Sequence, residues 1–464
     1  MKSIQGKLEH LDFILLCLFV LSQAYTIPLF AFGPSWATWP TAADLLIAAM
    51  ITIVLTRTLT GAGRMRSKAN KRILLLLLGL FAGCICSYVI LCRAMPILYP
   101  TETGRAAEFG EFQIYRIVQL IFAYVFASQV QLTPHRRKIL ATATVAALLV
   151  VCAALFLEYL SIVPASAYAG HLPKSLSISG PWGFYATATQ PEGYGTIGYT
   201  HMYSSSQVLL LLVLCLLLSP KARNFTIAAL VFTAEAAILI SGCRAVFVGS
   251  IVLVVALFIR RPRAITAFAC ILVFTAALTV AFAPTVLGLL SPAVDRAANL
   301  DPFAEVYPHA RPQLWSEQIE YLNEEPARWI IGGGFGTAIE ETDNAHMMYL
   351  QIINETGVLG LAAFVFVFAE IFRQLYRAGP DSRPMILGTV AILVASFAQE
   401  TLYPVPAMGQ FIAFYSLCLA LALRPECRSA TQRMLILDIP PNHTAPQLVA
   451  IYPSRTDRRP LGTI

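Results

Sequence analysis

The sequence predicts an all-α polytopic membrane protein with about twelve transmembrane helices. Apolar residues make up 57% of the chain and charged residues only 13%, whereas charged residues make up roughly a quarter of an ordinary soluble domain. Apolar runs of roughly 18 or more residues alternate with short polar segments, and roughly 20 such residues cross a bilayer as one helix. The weak alternation over about ten residues that marks a transmembrane β-strand is absent from these runs.

The apolar runs set the order of the predicted helices along the chain. A signal peptide is the alternative interpretation of the first run, because two lysines precede it and Ser22-Gln23-Ala24 resembles a cleavage site. Acidic Glu9 and Asp12 interrupt the basic region, and the apolar run continues past the candidate cleavage site, so we interpret it as a membrane helix. The predicted helices are 12–32, 42–57, 73–92, 112–131, 139–163, 201–218, 224–241, 244–259, 264–290, 345–372, 384–402 and 406–423.

Basic residues cluster in the loops at every second helix boundary. These loops span 57–72, 136–138, 221–223, 260–263 and 373–383, and they all fall on one side when about twelve helices are assigned. Because short loops rich in Lys and Arg stay in the cytoplasm, we expect this side and both termini to be cytoplasmic. The clustering also explains the formal net charge of +7 without a nucleic-acid partner.

Three longer segments, 93–111, 164–200 and 291–344, remain for the opposite side of the membrane. The third is the longest. It contains Pro312 at a position where the first turn of a helix tolerates proline, and an apolar face follows. We therefore predict a short surface helix at about 312–324.

The chain is expected to divide into a membrane domain over 1–423 and a cytoplasmic tail over 424–464. The tail is polar and contains proline, which predicts poor order. The ten cysteines form no CxxC pair and lie almost wholly in apolar runs, so we interpret them as small core residues. No Asp-x-Asp motif falls on the predicted outer side, and we expect no metal or other cofactor.

The few cationic residues on the predicted outer side are candidates for ligand binding. Arg116, Arg244, Arg311 and His346 lie in or beside helix ends there. An Arg at mid-membrane costs at least about 2.5 kcal/mol on insertion scales, so several unpaired guanidiniums suggest an anionic ligand such as phosphate. The alternative is that each Arg snorkels to the membrane surface. The run Gly332–Gly336 lacks the Lys-Ser/Thr of a P-loop and predicts a tight turn that allows close backbone approach.

The segment that begins at Asn344 resembles the signature of the O-antigen ligase and O-antigen polymerase family. In that signature a His and a polar neighbour are followed by two glycines three residues apart, and His346, Gly357 and Gly360 match it. Met347 departs from the usual polar neighbour, and Asn344 is the nearby polar residue that would substitute for it.

Two upstream patterns are also similar to this family. Arg311 and Trp315, followed by a proline and the run Gly332–Gly336, are similar to its upstream pattern of Arg, Trp, Pro and Gly-x-Gly. Arg244, which follows Ser241-Gly-Cys, is similar to the family's Ser-Arg element at an outer helix mouth. The resemblance covers roughly residues 180–370 by motif and the whole chain by topology.

The resemblance implies a metal-independent, GT-C-like glycosyltransferase of the bacterial inner membrane. Its donor would be a glycan on undecaprenyl pyrophosphate in the outer leaflet, and its acceptor a sugar hydroxyl of lipid A-core or of another lipid-linked glycan. His346 would accept the hydroxyl proton or orient the hydroxyl, since an ordinary imidazole can do so near neutral pH. Arg311 and Arg244 would stabilise the leaving pyrophosphate. The further expected substrate-binding residues are Arg116, Asn344, Trp315 and Gly334.

Several alternatives stay open from the sequence. His346 would act as a diphosphate ligand in one of them. A polyprenyl-linked glycan flippase or transporter is the main rival, and it predicts charges near the middle of several helices and broken helices. A structural membrane scaffold is a third class. Within the resemblance, a ligase, an exopolysaccharide polymerase and a protein O-glycosylating enzyme share the same motifs.

Overall fold

The computed structural model describes residues 2–30, 39–61, 65, 67–94, 106–160, 162–163, 167, 201–281, 311–337, 345–404 and 409–424. Within these ranges every regular element is a helix. The described helices belong to one compact unit over Met1–Cys427. The predicted tail from residue 425 onward, and most of the segments 93–111, 164–200 and 291–310, lie outside the described residues.

Each of the predicted segments contains a helix, and two short helices precede the tenth. In chain order the helices are α1 Lys2–Ser22, α2 Ala42–Leu59, α3 Lys68–Ser87, α4 Ala106–Gln129, α5 Pro134–Tyr159, α6 His201–Leu218, α7 Asn224–Ile240, α8 Arg244–Arg260, α9 Pro262–Ala281, α10 Arg311–Glu324, α11 Pro326–Ile331, α12 Met348–Ala378, α13 Arg383–Ala395 and α14 Gly409–Ala422. A π-helical turn, Tyr88–Ala94, extends α3, and a 3₁₀ turn, Pro380–Ser382, precedes α13.

Among the described residues, four helices are long and apolar enough to cross a membrane. They are α2, α3 with its π-helical extension, α5 and α12. Shorter apolar helices are formed by Tyr203–Leu218, Asn224–Ile240, Pro262–Ala277 and Gln410–Ala422. Exposed Leu75, Val365 and Phe366 give α3 and α12 an apolar outer surface, as expected of helices in contact with lipid. Six of the nine described cysteines are buried, as predicted for core residues, whereas Cys86 and Cys270 are exposed.

Most helix boundaries lie within six residues of the predicted ones, whereas both ends of the first helix and the end of the predicted segment 384–402 differ by more. The first helix covers Lys2–Ser22 rather than 12–32. It contains Asp12, which pairs with Arg57 at 2.5 Å. The segment predicted as 384–402 leaves the helix after Ala395. Its following carbonyl groups, those of Ser396 and Gln399, accept hydrogen bonds from the backbone of another segment.

The helix ends that carry the predicted cytoplasmic loops meet at one end of the helix bundle, which we call the basic end. The contacts that join them are Arg57 with Gln129, Arg137 with Leu218, Arg261 with Pro220, Ser67 with Leu423, and Arg72 with Glu370. The first half of α1 reaches the same end through Glu9. The first half of α1 and the end of α14 therefore both lie at the basic end.

Cysteine labelling tests the orientation that this end implies. We expect a membrane-impermeant maleimide to label Ser316→Cys on α10 in intact cells, but Thr60→Cys at the basic end only after permeabilisation, because both positions are exposed and lie on opposite sides of the predicted topology. The parent chain measures the background from its own cysteines. Labelling of Thr60→Cys but not Ser316→Cys in intact cells would contradict the orientation.

Candidate functional site

At the end of the bundle opposite the basic end, four segments meet around His346. They are the start of α12, the end of α13 with the residues that follow it, the start of α8, and the glycine-rich turn after α11. The sequence motifs singled out above fall on three of these segments. The fourth, the one after α13, carries a residue that the sequence analysis missed.

That residue is Glu400. Its carboxylate is fully buried, and its Oε1 atom lies 3.1 Å from Nδ1 of His346. Neither carboxylate oxygen accepts a hydrogen bond of regular geometry from the described residues, so the contact with His346 is an ion-pair distance. The imidazole is 47% exposed, so one edge of the ring faces a buried carboxylate while the ring remains accessible to a substrate. A carboxylate at one ring nitrogen fixes the tautomer and the orientation of a histidine.

The backbone around His346 is held on both sides. The Trp315 indole donates a hydrogen bond of 2.9 Å to the carbonyl of Ala345, whose own N–H donates to Gln351 Oε1 at 3.3 Å. On the other side, the N–H of Met348 donates to the carbonyl groups of Ser396 and Gln399. His346 itself has a φ of 48°, in the left-handed region that a non-glycine residue seldom adopts. Trp315 thus positions the histidine through its neighbour.

The glycine-rich turn packs directly on α12 at a break in that helix. Gly357 has φ 67° and ψ −174°, so α12 is interrupted there. A Cβ atom on Gly357 would lie 2.1 Å from the carbonyl oxygen of Ile330, and one on Gly332 would lie 2.3 Å from the carbonyl carbon of Glu355. The N–H of Gly334 donates to the carbonyl of Glu355 at 3.1 Å. The prediction of a turn that allows close backbone approach is confirmed.

Arg244 begins α8 and is half-buried at the same end of the bundle. The preceding residue, Cys243, accepts a hydrogen bond of 2.9 Å from the Gln399 amide, next to Glu400. Lower down, α8 meets α13 closely, since a Cβ on Gly249 would lie 2.3 Å from the carbonyl oxygen of Ala391. The structure therefore brings Arg244 into the neighbourhood of the His346–Glu400 pair.

Of two other candidates, Arg311 is described only in its backbone and Asn344 is not described. Arg311 begins α10, whose bounds differ by one residue from the predicted surface helix 312–324, and its side chain lies outside the described residues. Asn344 lies outside them as well. Gly334 is in the turn against α12, with φ 119°, and its role toward a substrate stays a prediction.

The expectation that Arg116 is unpaired is wrong. Its side chain is buried, and its Nη1 atom lies 2.7 Å from Asp44 Oδ1 on α2. It also donates to Gln119 at 2.8 Å, and the Gln410 amide donates to the other oxygen of Asp44. Since a buried guanidinium with a carboxylate partner needs no ligand to balance its charge, this pair explains Arg116 as a link between α2 and α4.

Charged groups also lie inside other helices. Glu235 on α7 accepts a hydrogen bond of 2.7 Å from Ser250 on α8. Glu355 on α12 is fully buried one turn or less from the break at Gly357. Such charges and a broken helix are features that the transporter hypothesis predicts, so that hypothesis gains support it lacked from the sequence.

The arrangement can perform proton transfer next to a cationic group, at the end of the bundle opposite the basic loops. Among the described residues, no group of three or more His, Cys, Asp and Glu side chains is placed to hold a metal ion. No protein-family profile matches the chain, and no characterised protein matches it significantly.

Proposed function

We propose that the protein is a membrane glycosyltransferase of the O-antigen ligase or polymerase type. It transfers a glycan from undecaprenyl pyrophosphate to a sugar hydroxyl at the outer face of the bacterial inner membrane, with lipid A-core or another lipid-linked glycan as acceptor. The observation that supports this most directly is the accessible imidazole of His346 at 3.1 Å from the buried carboxylate of Glu400. It lies at the end of the bundle that the positive-inside rule assigns to the outside.

The pair provides a general base. A carboxylate at Nδ1 favours the tautomer that carries its proton on that nitrogen, which leaves Nε2 to accept a proton from the acceptor hydroxyl. As the acceptor oxygen bonds to the anomeric carbon, the bond from that carbon to the pyrophosphate oxygen breaks. The proton passes to His346, and Glu400 stabilises the imidazolium that forms.

The leaving group departs as an anion, so its developing charge needs preorganised cations. Arg244 is near the pair, and Arg311 begins the helix whose Trp315 holds the neighbour of His346. Planar guanidinium groups bind phosphate oxygens in a bidentate manner. In this proposal the two arginines take the place that a divalent metal has in other glycosyltransferases.

Reconstituted transfer tests the proposal. The purified protein in lipid nanodiscs is given undecaprenyl pyrophosphate-linked glycan and an acceptor glycan, and released undecaprenyl pyrophosphate and product are measured. We expect transfer that persists in EDTA, and we expect Glu400→Gln to lower turnover by about tenfold to a hundredfold, as the loss of a group that orients a reacting histidine does. Abolition by EDTA would contradict the metal-independent mechanism, and normal turnover of Glu400→Gln would contradict the general-base pair.

The Arg244 guanidinium is tested by comparing two substitutions. Alanine removes a charge-assisted contact worth roughly 1.5–3 kcal/mol, so we expect about a tenfold or larger loss of transfer. Lysine keeps the charge without the planar fork, and its loss should be smaller. Arg260→Ala is a matched control, because Arg260 ends the same helix at the basic end and is exposed. Equal transfer by Arg244→Ala and Arg260→Ala would refute the assignment.

A polyprenyl-linked glycan flippase is the second candidate, supported by the break at Gly357 and by the charges inside the helices. Proteoliposomes separate the two activities. A flippase moves fluorescent lipid-linked donor between leaflets without an acceptor, whereas a glycosyltransferase consumes the donor only when an acceptor is present. Donor movement without acceptor, combined with no transfer, would favour the flippase.

A further inference from the structure

We infer that Glu355 is a positioning residue that holds His346 and Glu400 in place relative to each other; as a statement about activity, this inference rests on the proposed function. Glu355 is on α12, nine residues after His346, and its side chain is fully buried. Neither sequence motif nor hydropathy assigned it a role. What distinguishes it is the number and origin of the groups that face its carboxylate.

Four hydrogen-bond donors surround the two carboxylate oxygens. Oε2 accepts from the N–H of Gly336 at 2.8 Å and from the Tyr403 hydroxyl at 2.5 Å. Oε1 accepts from the amide of Gln351 at 2.8 Å and from that of Gln113 at 3.4 Å. A carboxylate has only acceptor sites, so its chemistry matches an environment made of donors.

These donors come from four parts of the chain that meet at the site. Gln351 connects Glu355 to the segment of His346, because its own Oε1 accepts a hydrogen bond from the N–H of Ala345, the residue before His346. Tyr403 connects Glu355 to the segment of Glu400, because it lies three residues after Glu400. Gly336 belongs to the glycine-rich turn, and Gln113 belongs to α4. One carboxylate therefore connects the segment of the base, the segment of its carboxylate partner, and the turn between α11 and α12.

The geometry predicts that an amide cannot replace this carboxylate. A glutamine at position 355 has one oxygen and one NH₂ group, so the NH₂ group would face donors on one side. Those donors would lose their acceptor, and buried unsatisfied donors destabilise the arrangement. Aspartate keeps both oxygens but withdraws them by one methylene, so it should retain part of the network.

A double-substitution cycle separates positioning from a general loss of stability. We expect Glu355→Gln to lower single-turnover transfer by about tenfold to a hundredfold with donor affinity nearly unchanged, and Glu355→Asp to lower it less. In a Glu400→Gln background the added effect should be less than about twofold, because the pair that Glu355 positions is already disrupted. Glu370→Gln, near the basic end of α12, is the control and should leave transfer unchanged.

Additive effects of the two substitutions, or normal transfer by Glu355→Gln, would overturn the inference. A second measurement tests the inference independently of glycan transfer. It is the rate at which His346 is carbethoxylated, followed by mass spectrometry. We expect faster modification in Glu355→Gln than in the parent or in Glu370→Gln, because an imidazole released from Glu400 is accessible at both nitrogens. An unchanged rate overturns the positioning role. If the parent transfers no glycan but the rate rises, the proposed function fails while the positioning role stands.

Discussion

Replacement of His346 by alanine is expected to lower glycan transfer by about a hundredfold or more while donor affinity stays nearly unchanged, the usual effect of losing a general base. The reason is the geometry of the pair: Nδ1 lies 3.1 Å from Glu400, and the side chain is half-exposed. In the proposed mechanism the other ring nitrogen receives the proton of the acceptor hydroxyl. Donor affinity and single-turnover transfer are measured on the same purified variant, so that binding and chemistry are separated.

His135→Ala is a suitable control, because His135 is exposed in the first turn of α5 at the basic end. It should transfer glycan as the parent does. If His346→Ala loses donor affinity by the same factor as turnover, the histidine binds the diphosphate instead of accepting a proton. That result would leave His346 in the site and change its role.

Replacement of Gly357 by alanine is expected to lower the free energy of unfolding by at least about 2 kcal/mol. Two effects combine there. The residue has a φ of 67°, which alanine seldom adopts, and the new Cβ would lie 2.1 Å from the backbone carbonyl oxygen of Ile330. Because the obstructing atom is backbone, no side-chain rotation can relieve the contact. Thermal unfolding in detergent measures the effect.

Gly79→Ala and Gly83→Ala on α3 are matched controls for this substitution. Both glycines lie inside a helix, and a Cβ atom on either meets nothing within 4 Å. Alanine is there expected to stabilise the helix by roughly 0.5–1 kcal/mol. A Gly357→Ala variant as stable as these controls would show that α12 is not broken at this residue.

The positions of the helices could be predicted from the sequence because a membrane helix needs a long apolar run, and such runs are local. The short helix α10 was predicted to within one residue for a related reason, since Pro312 fits the first turn and Pro326 follows its end. The grouping of the basic loops at one end was also predicted, because clusters of Lys and Arg are visible in short stretches of sequence.

The pairings of charged residues could not be predicted in the same way. Arg116 and Asp44 are far apart in the sequence and meet only when α2 packs against α4. Glu400 could not be recognised from the sequence, because it follows an apolar run, and a charged residue is common where a membrane helix ends. Its role becomes visible only when the fold places His346 beside it. Gly357 was recognised as part of a motif, but the break it introduces depends on contact with Ile330. These features are set by tertiary packing.

The position of the break in α12 also bears on how deep the site would lie in a bilayer. The fifteen residues from Val358 to Phe372, before the basic loop that starts at Arg373, rise about 22 Å, which is less than the roughly 30 Å thickness of a hydrocarbon core. The nine residues before the break add about 13 Å. A hydrocarbon core that begins at the basic loop would therefore extend past the break to Glu355, and it would leave the start of α12 and the adjoining His346 at the height of the lipid headgroups. A pyrophosphate would meet the site at that height without leaving the water layer, while its polyprenyl chain stayed among the acyl chains below.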